Sequence, residues 1–201
     1  MPASDAPSPA FDGLLLASAS PRRRELLAEA GYSFAVHSPH VDELDDPHGD
    51  PVALVFENAR RKAAAAATAF PRARILAADT TVALGSRILN KPAGREDALR
   101  MLLSLRGKTH RVHTAVATAA PGAPPSLFVE TSEVTFHDLP EAEIAAYVDT
   151  ARPFDKAGAY GIQDANNPLV RAYTGLLSNI IGLPVERLAA PLAALGIRPQ
   201  K

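Results

Sequence analysis

The chain has 201 residues, 47% of them hydrophobic, with a formal net charge of −1 and no cysteine. That length and apolar share support a real core, and the charge balance gives no global basic field to draw the protein to nucleic acid or an anionic membrane. Without cysteine there are no disulfides, thiolate nucleophiles or thiolate metal sites, and a reducing, cytoplasmic compartment is the expectation. No apolar run reaches the ~20 residues that span a bilayer, so no membrane association is expected. Residues 1–12, MPASDAPSPAFD, are acidic and proline-rich rather than signal-like. They read as a flexible lead-in to one domain over residues 13–201.

The first patterned stretch runs from Leu14 to Leu27, an apolar run that breaks at Ser18 and Ser20 and restarts as a basic helix. Ser20 is a suitable N-cap and Pro21 fits the first helical position. Arg22, Arg23 and Arg24 then fill the first turn, beside the positive end of the helix dipole, where acidic residues are expected. A bound phosphate or carboxylate would relieve that repulsion, and a solvated basic turn is the alternative. A short strand over Ser33 to Pro39 and an acidic loop from Val41 to Asp46 follow; Glu43 in that loop is either a metal-side oxygen or one of the solvated carboxylates that keep a surface loop soluble.

From Asp50 to Phe70, apolar residues recur at helical spacing, with Asp50 as cap and Pro51 in the first turn. Lys62 falls about 60° from the middle of the apolar stripe, at the rim, either snorkelling or reaching into a cleft. Within the run from Arg74 to Leu84, a buried strand is expected to end on Asp79, Thr80 and Thr81, placing polar groups at its carboxyl end. Asp79 there is either a cap or a functional carboxylate, with Thr80 beside it. A hairpin leads to Asn90-Lys91-Pro92, a helix spans Gly94 to Ser104, and antiparallel strands span Thr109 to Ala119 and Leu127 to Phe136. The spacing of His110 and His113 puts them on opposite faces, and the six histidines form no zinc set. A helix over Glu141 to Thr150 precedes Phe154 to Gln163, whose glycines allow close backbone approach and which holds Lys156 and Gln163. A strand from Leu169 to Tyr173 and a last helix ending near Leu195 complete the chain.

Cations at element ends facing carboxylates are the components of phosphoryl chemistry, while neither a GxxxxGK[ST] nor a GxGxxG motif occurs. The motifs LLLASASPRRRELL, VDE at 41–43, ENARRKA around Lys62, ILAADTTV around Asp79, LNKP at 89–92, DKAGAYGIQ at 155–163 and NIIGLP at 179–184 together resemble the Maf family of nucleoside triphosphate pyrophosphatases, over about Leu14 to Leu188. The resemblance implies an α/β fold, a mixed twisted sheet flanked by helices in an ITPase-like, two-lobed arrangement with a central cleft. It implies metal-dependent hydrolysis, with Mg2+ or Mn2+, of a nucleoside triphosphate to monophosphate and pyrophosphate. Arg22, Arg23, Thr80 and Gln163 match the dTTP/UTP branch.

By the same resemblance Asp79 is the proton acceptor or metal-orienting acid and Glu43 a second metal-side acid. Ser18, Arg22, Arg23, Lys62, Lys91 and Lys156 contact phosphate, Arg22 also helping to choose the nucleotide, and Arg24 has no matched role. The chain departs from the family pattern after Gln163, where Asp164-Ala165-Asn166-Asn167-Pro168 replaces a glycine and small loop. A homodimer is compatible with the resemblance. A nucleotide-sensing regulator linked to cell division, with little turnover, is the alternative reading of the same fold.

Overall fold

Four apolar residues form β1 (Leu14–Ala17), buried on both faces, and the strand stops where Ser18 begins the turn into α1 (Pro21–Glu29). The computed structural model describes residues 8–165 and 167–200. Ser20 accepts from the Arg23 amide as N-cap, as its position dictates. β2 (Ala35–His37) is shorter than the alternation from Ser33 to Pro39 indicates, because only three residues find partners on β1. The expected lead-in lies outside the described residues over 1–7. At its end the chain is already held, since Phe11 packs on the core and the Asp12 carbonyl accepts from the Arg74 guanidinium.

α2 (Pro51–Ala69) leads into β3 (Arg74–Leu84), which turns at Gly85 into β4 (Arg87–Leu89). α3 (Arg95–Leu105), β5 (Thr109–Ala119), β6 (Ser126–Phe136) and α4 (Glu141–Ala151) follow. β7 (Val170–Thr174), α5 (Leu177–Ile181) and α6 (Ala189–Ala194) close the chain. The seven strands form one mixed sheet in the order β2-β1-β3-β5-β6-β7, with β4 on β3. β1 pairs parallel with β2 and β3, and the other pairings are antiparallel.

The core divides into three clusters. On one sheet face, Val55, Ala59, Ala63 and Ala66 of α2 meet Ala77, Ala115 and Ala117. On the other face, Leu26 and Leu27 of α1 pack with Leu76, Val116, Leu183 and Leu188. The far halves of β3, β5 and β6 carry the third cluster with α3 and α4, through Val82, Val112, Val134, Leu102 and Val148. Two lobes result, built on shared strands, with a cleft at their junction.

Asp79 does not end its strand: β3 runs five residues further, to Leu84. It is the neighbour that stops, since the last β1–β3 pair is Ala17 with Ala77. Asp79 therefore emerges two residues beyond the end of β1, in the crevice that the missing strand leaves open.

The segment expected to allow close backbone approach does so at Gly158, in a single turn of 3-10 helix at 157–159. Its φ is 69°, and a β-carbon there would lie 2.9 Å from a Val82 methyl. Gly158→Ala should cost about 1–3 kcal/mol through combined left-handed strain and overlap. Thermal unfolding checks this, with Tm falling about 2–4 °C per kcal/mol for a chain of this size.

Candidate active site

Alternation along β3 distributes the site residues. Ile75 and Ala77 face α2, so Asp79 does too, whereas Leu76 and Ala78 face α1, and so does Thr80. On the α2 side, Asn58 and Lys62 are one helical turn apart and both reach Asp79. Lys62 Nζ donates to Asp79 Oδ1 at 2.6 Å, and Asn58 Nδ2 donates to Oδ2 at 3.3 Å. The small residues on both sides of the α2–sheet contact bring the helix close enough for these reaches.

Lys62 differs from the rim position its helical angle predicts. It is 8% exposed and reaches into the cleft, the second of the two readings open to it, where the acidic loop brings Glu43 Oε1 to 3.0 Å from Nζ. The loop is fixed by Asn58, whose side-chain amide pairs with both the N–H and the C=O of Leu44. One ammonium thus bridges two carboxylates. Burial would push the Glu43 carboxyl up, but the charge and hydrogen bond of Lys62 hold it below its ordinary value, so it stays ionised at neutral pH.

On the α1 side, Thr80 faces Arg23. Arg23 Nε donates to the Gly182 carbonyl, Nη1 to the Ala78 carbonyl and to Ser18 Oγ, and Nη2 to Thr80 Oγ1, at 2.8 to 3.2 Å. The guanidinium is buried and four of its five N–H groups are committed inside the protein. Burial lowers its pKa, opposed by the charges of Asp79 and Glu43. Thr80 is tied in turn to Thr114 at 3.0 Å, and Thr114 donates to the Asn179 carbonyl. Ser18 Oγ accepts from Arg23 and from the Ser20 amide, which leaves its own O–H to donate.

Arg22, one residue from Arg23, points across the cleft to Asp155 at 2.8 Å, and Asp155 also holds Lys156 at 2.9 Å. Burial opposes ionisation of Asp155, but hydrogen bonds from Lys156 and Arg22 win and hold its carboxyl at about 2. Lys91 lies just beyond β4. Ser18, Arg22, Arg23, Glu43, Lys62, Asp79, Thr80, Lys91, Lys156 and Gln163 all line one cavity of about 540 Å³. The predicted set is thereby brought together, with Arg23 turned inward and Arg24 exposed outside it.

The family model described as Maf-like protein matches residues 13–195. The chain belongs to the Maf family. It is 44% identical over 186 residues to the dTTP/UTP pyrophosphatase of Myxococcus xanthus, covering 92% of this chain and 93% of that one. The dTTP/UTP pyrophosphatase of Moorella thermoacetica is also 44% identical, over 92% of this chain and 95% of its own. Among solved structures, a HAM1 protein from Coxiella burnetii aligns with TM-score 0.52 at 15% identity, over 92% of this chain and 100% of that one, a likeness of fold.

Within this Maf cleft several contributors escape sequence reasoning. Asn58 and Asp155 sit inside the matched motifs, yet their tasks depend on partners 21 and 133 residues away. Asn90 gathers three elements: its amide bonds Asp45 and Thr81, and its carbonyl accepts from Gly158. The histidines divide between the structural and solvated readings: His110 and His113 are buried and hydrogen-bonded, whereas His40, His48 and His137 are exposed. His110 Nε2 bonds Tyr160 Oη at 2.8 Å, and burial keeps the ring neutral by lowering its pKa to about 4.

The neighbouring arginines should separate on mutation. Arg23→Ala should lose about 3 kcal/mol or more, since four buried acceptors lose a charged donor, whereas Arg24→Ala should stay within about 0.5 kcal/mol; urea unfolding compares them. The Asp155 carboxyl should titrate near 2 by 13C NMR and move toward 3.8 in Arg22→Ala. As its folded pKa is depressed, its contribution to stability is complete above 3.8 and fades as pH falls toward about 2.

Proposed function

We propose that this Maf protein hydrolyses dTTP and UTP to the nucleoside monophosphate and pyrophosphate. The observation that carries the reading is the Asp79–Lys62–Glu43 bridge at the base of a cation-lined cleft. The names of relatives that match over nine-tenths of the chain support the same substrates.

Charge balance supports a divalent cation as cofactor. The cleft is lined by five basic and four acidic side chains, too small a surplus to neutralise a triphosphate alone. Among the described residues no group of three or more His, Cys, Asp or Glu is placed to hold a metal. Asp79 and Glu43 together offer two hard carboxylates, and Mg2+ characteristically takes one or two of these plus water and phosphate oxygens. The residues therefore fit Mg2+ or Mn2+ held by Asp79 and Glu43. When bound, such an ion neutralises phosphate charge and polarises the bond to be cleaved.

The chain's own side chains do the rest. Lys91, Lys156 and Arg22 bind phosphate oxygens, and Ser18 adds its hydroxyl as a donor. Asp79 accepts the proton of the water that attacks the α-phosphorus, and pyrophosphate departs against the cationic wall. Lys62 holds the Asp79 carboxylate where it can take that proton. Gln163 presents an amide that both donates to and accepts from the N3–H and O4 edge of uracil or thymine. Arg23 shapes the wall by fixing Ser18, Thr80 and Gly182 together. The substrate is a soluble metabolite, and we place the activity in the cytoplasm.

Incubation with dTTP or UTP and Mg2+ should release pyrophosphate rather than orthophosphate, and chelation should stop it until metal is restored. Asp79→Asn should lower kcat by about 10²-fold or more, the usual scale for a lost general base. Tight nucleotide binding with no pyrophosphate under any metal would instead establish the nucleotide-sensing alternative.

A further inference from the structure

The loop bearing Gln163 is anchored from behind by Asp164. The Asp164 amide donates to the Gly161 carbonyl at 3.1 Å, closing a turn with Ile162 and Gln163 at its corners, and both corner residues line the cleft. The Asp164 carboxylate folds back under this turn. Its Oδ2 accepts from the Gly161 amide at 3.2 Å and from the Tyr147 hydroxyl, and Gly161 also donates to Tyr147 Oη at 3.1 Å. The fit is close, since a β-carbon on Gly161 would lie 2.5 Å from Asp164 Oδ1.

Tyr147 is a firm post: it projects from α4, and its ring is buried in the cluster with Val148 and Ile144. Burial and the Asp164 hydrogen bond push its pKa up, so the hydroxyl keeps its proton and goes on donating. From the other side, Asn167 Nδ2 donates to the Gly161 carbonyl at 2.7 Å. Asp164 Oδ1 lies 4.0 Å from Lys156 Nζ. One carboxylate therefore touches both the backbone that aims Gln163 and the ammonium assigned to phosphate.

We infer that Asp164, acting through the Gly161 amide and the Tyr147 hydroxyl, is a positioning residue that sets which base the cleft accepts. The inference rests on the reading of the cleft as a pyrimidine nucleotide site. Thymine and cytosine are told apart by hydrogen bonds whose length and angle depend on where the recognising group stands, so a turn held at Gly161 brings Gln163 to the base edge from a fixed place and direction. Asp164 faces the turn and Tyr147 rather than the open pocket, so it supplies the fixity and not a direct contact. The same geometry makes Asp164 the link between base recognition and Lys156.

Calorimetry with the full chain gives Kd for dTTP and dCTP without turnover, and amide hydrogen exchange reads Gly161 directly. In Asp164→Ala, dTTP should bind about 10-fold more weakly, the scale of one charge-assisted hydrogen bond, while dCTP changes by less than about twofold. The Gly161 amide should exchange at least about 10-fold faster. Asp164→Asn keeps an oxygen acceptor and should recover the parent ratio to within about threefold, whereas Tyr147→Phe, which removes only the hydroxyl from a buried ring, should narrow the ratio by a smaller factor of the same sign.

Equal weakening of both nucleotides, an unchanged ratio, or unchanged Gly161 exchange in Asp164→Ala overturns the inference. Should that variant fail to fold, an unchanged ratio in Tyr147→Phe does so. A parent protein that prefers dTTP to dCTP but releases no pyrophosphate overturns the pyrophosphatase reading alone. A parent without that preference overturns the inference together with the dTTP/UTP assignment, and pyrophosphate release then tests the pyrophosphatase reading separately.

Discussion

The site depends on a mismatch in strand length. β1 ends at Ala17 while β3, paired with it from Arg74 to Ala77, continues to Leu84. A sheet that loses one strand midway leaves its neighbour with unpaired backbone and side chains directed at both layers. At Asp79 and Thr80 the two directions are polar, one toward α2 and one toward α1. Shifting the register of β3 by a single residue would exchange them and direct a carboxylate at Arg23 and a hydroxyl at Lys62. What opposes such a slip is the pairing itself: Asp79 would lose Lys62 and Asn58, Thr80 would lose Arg23 and Thr114, and the ladder to β5 from Ile75 to Ala83 would have to shift with them.

Electrostatic restraint follows from the same geometry. The cleft is nearly balanced in charge and its ions are paired in advance: Lys62 with Asp79 and Glu43, Arg22 and Lys156 with Asp155. Isolated buried charges cost far more than paired ones, so the pairs are what allow so many ions to share one cavity. They also differ in commitment. Arg23 is bound mainly to carbonyls and hydroxyls and belongs to the framework. Arg22 is bound to a carboxylate that is more than half exposed, which leaves it free to change partner when a phosphate arrives.

Much of the fold was legible because local chemistry and tertiary structure agree. Ser20 and Asp50 cap the helices their positions indicate, the long strands follow their apolar runs, and the motifs fall on one cavity. What was not legible depends on distant partners. Lys62 reads as a rim residue by helical angle, and the partners that bury it, Asp79 on β3 and Glu43 on the loop held by Asn58, are far from it in sequence. Arg22 and Arg23 are adjacent in sequence and equivalent in chemistry, yet about 100° of helical turn sends one across the cleft and the other into the wall. Asp79 reads as a strand end because the polar residues begin there, whereas the strand that ends is the neighbouring one. Asp164 stands out only as an unusual residue, since nothing local shows that its partner is a tyrosine on α4.

The three strands β3, β5 and β6 each have eleven residues and pass through both lobes. At about 3.3 Å per residue they are continuous rails of about 36 Å, hydrogen-bonded to one another across the floor of the cleft. A protein whose lobes join through a flexible connection can open like a book. Here both lobes are built on the same strands, and drawing them apart would require bending all three rails together. Entry and release of a nucleotide therefore fall to the cleft's rim, to the Glu43 loop, the Asp155–Lys156 pair and the Gln163 turn.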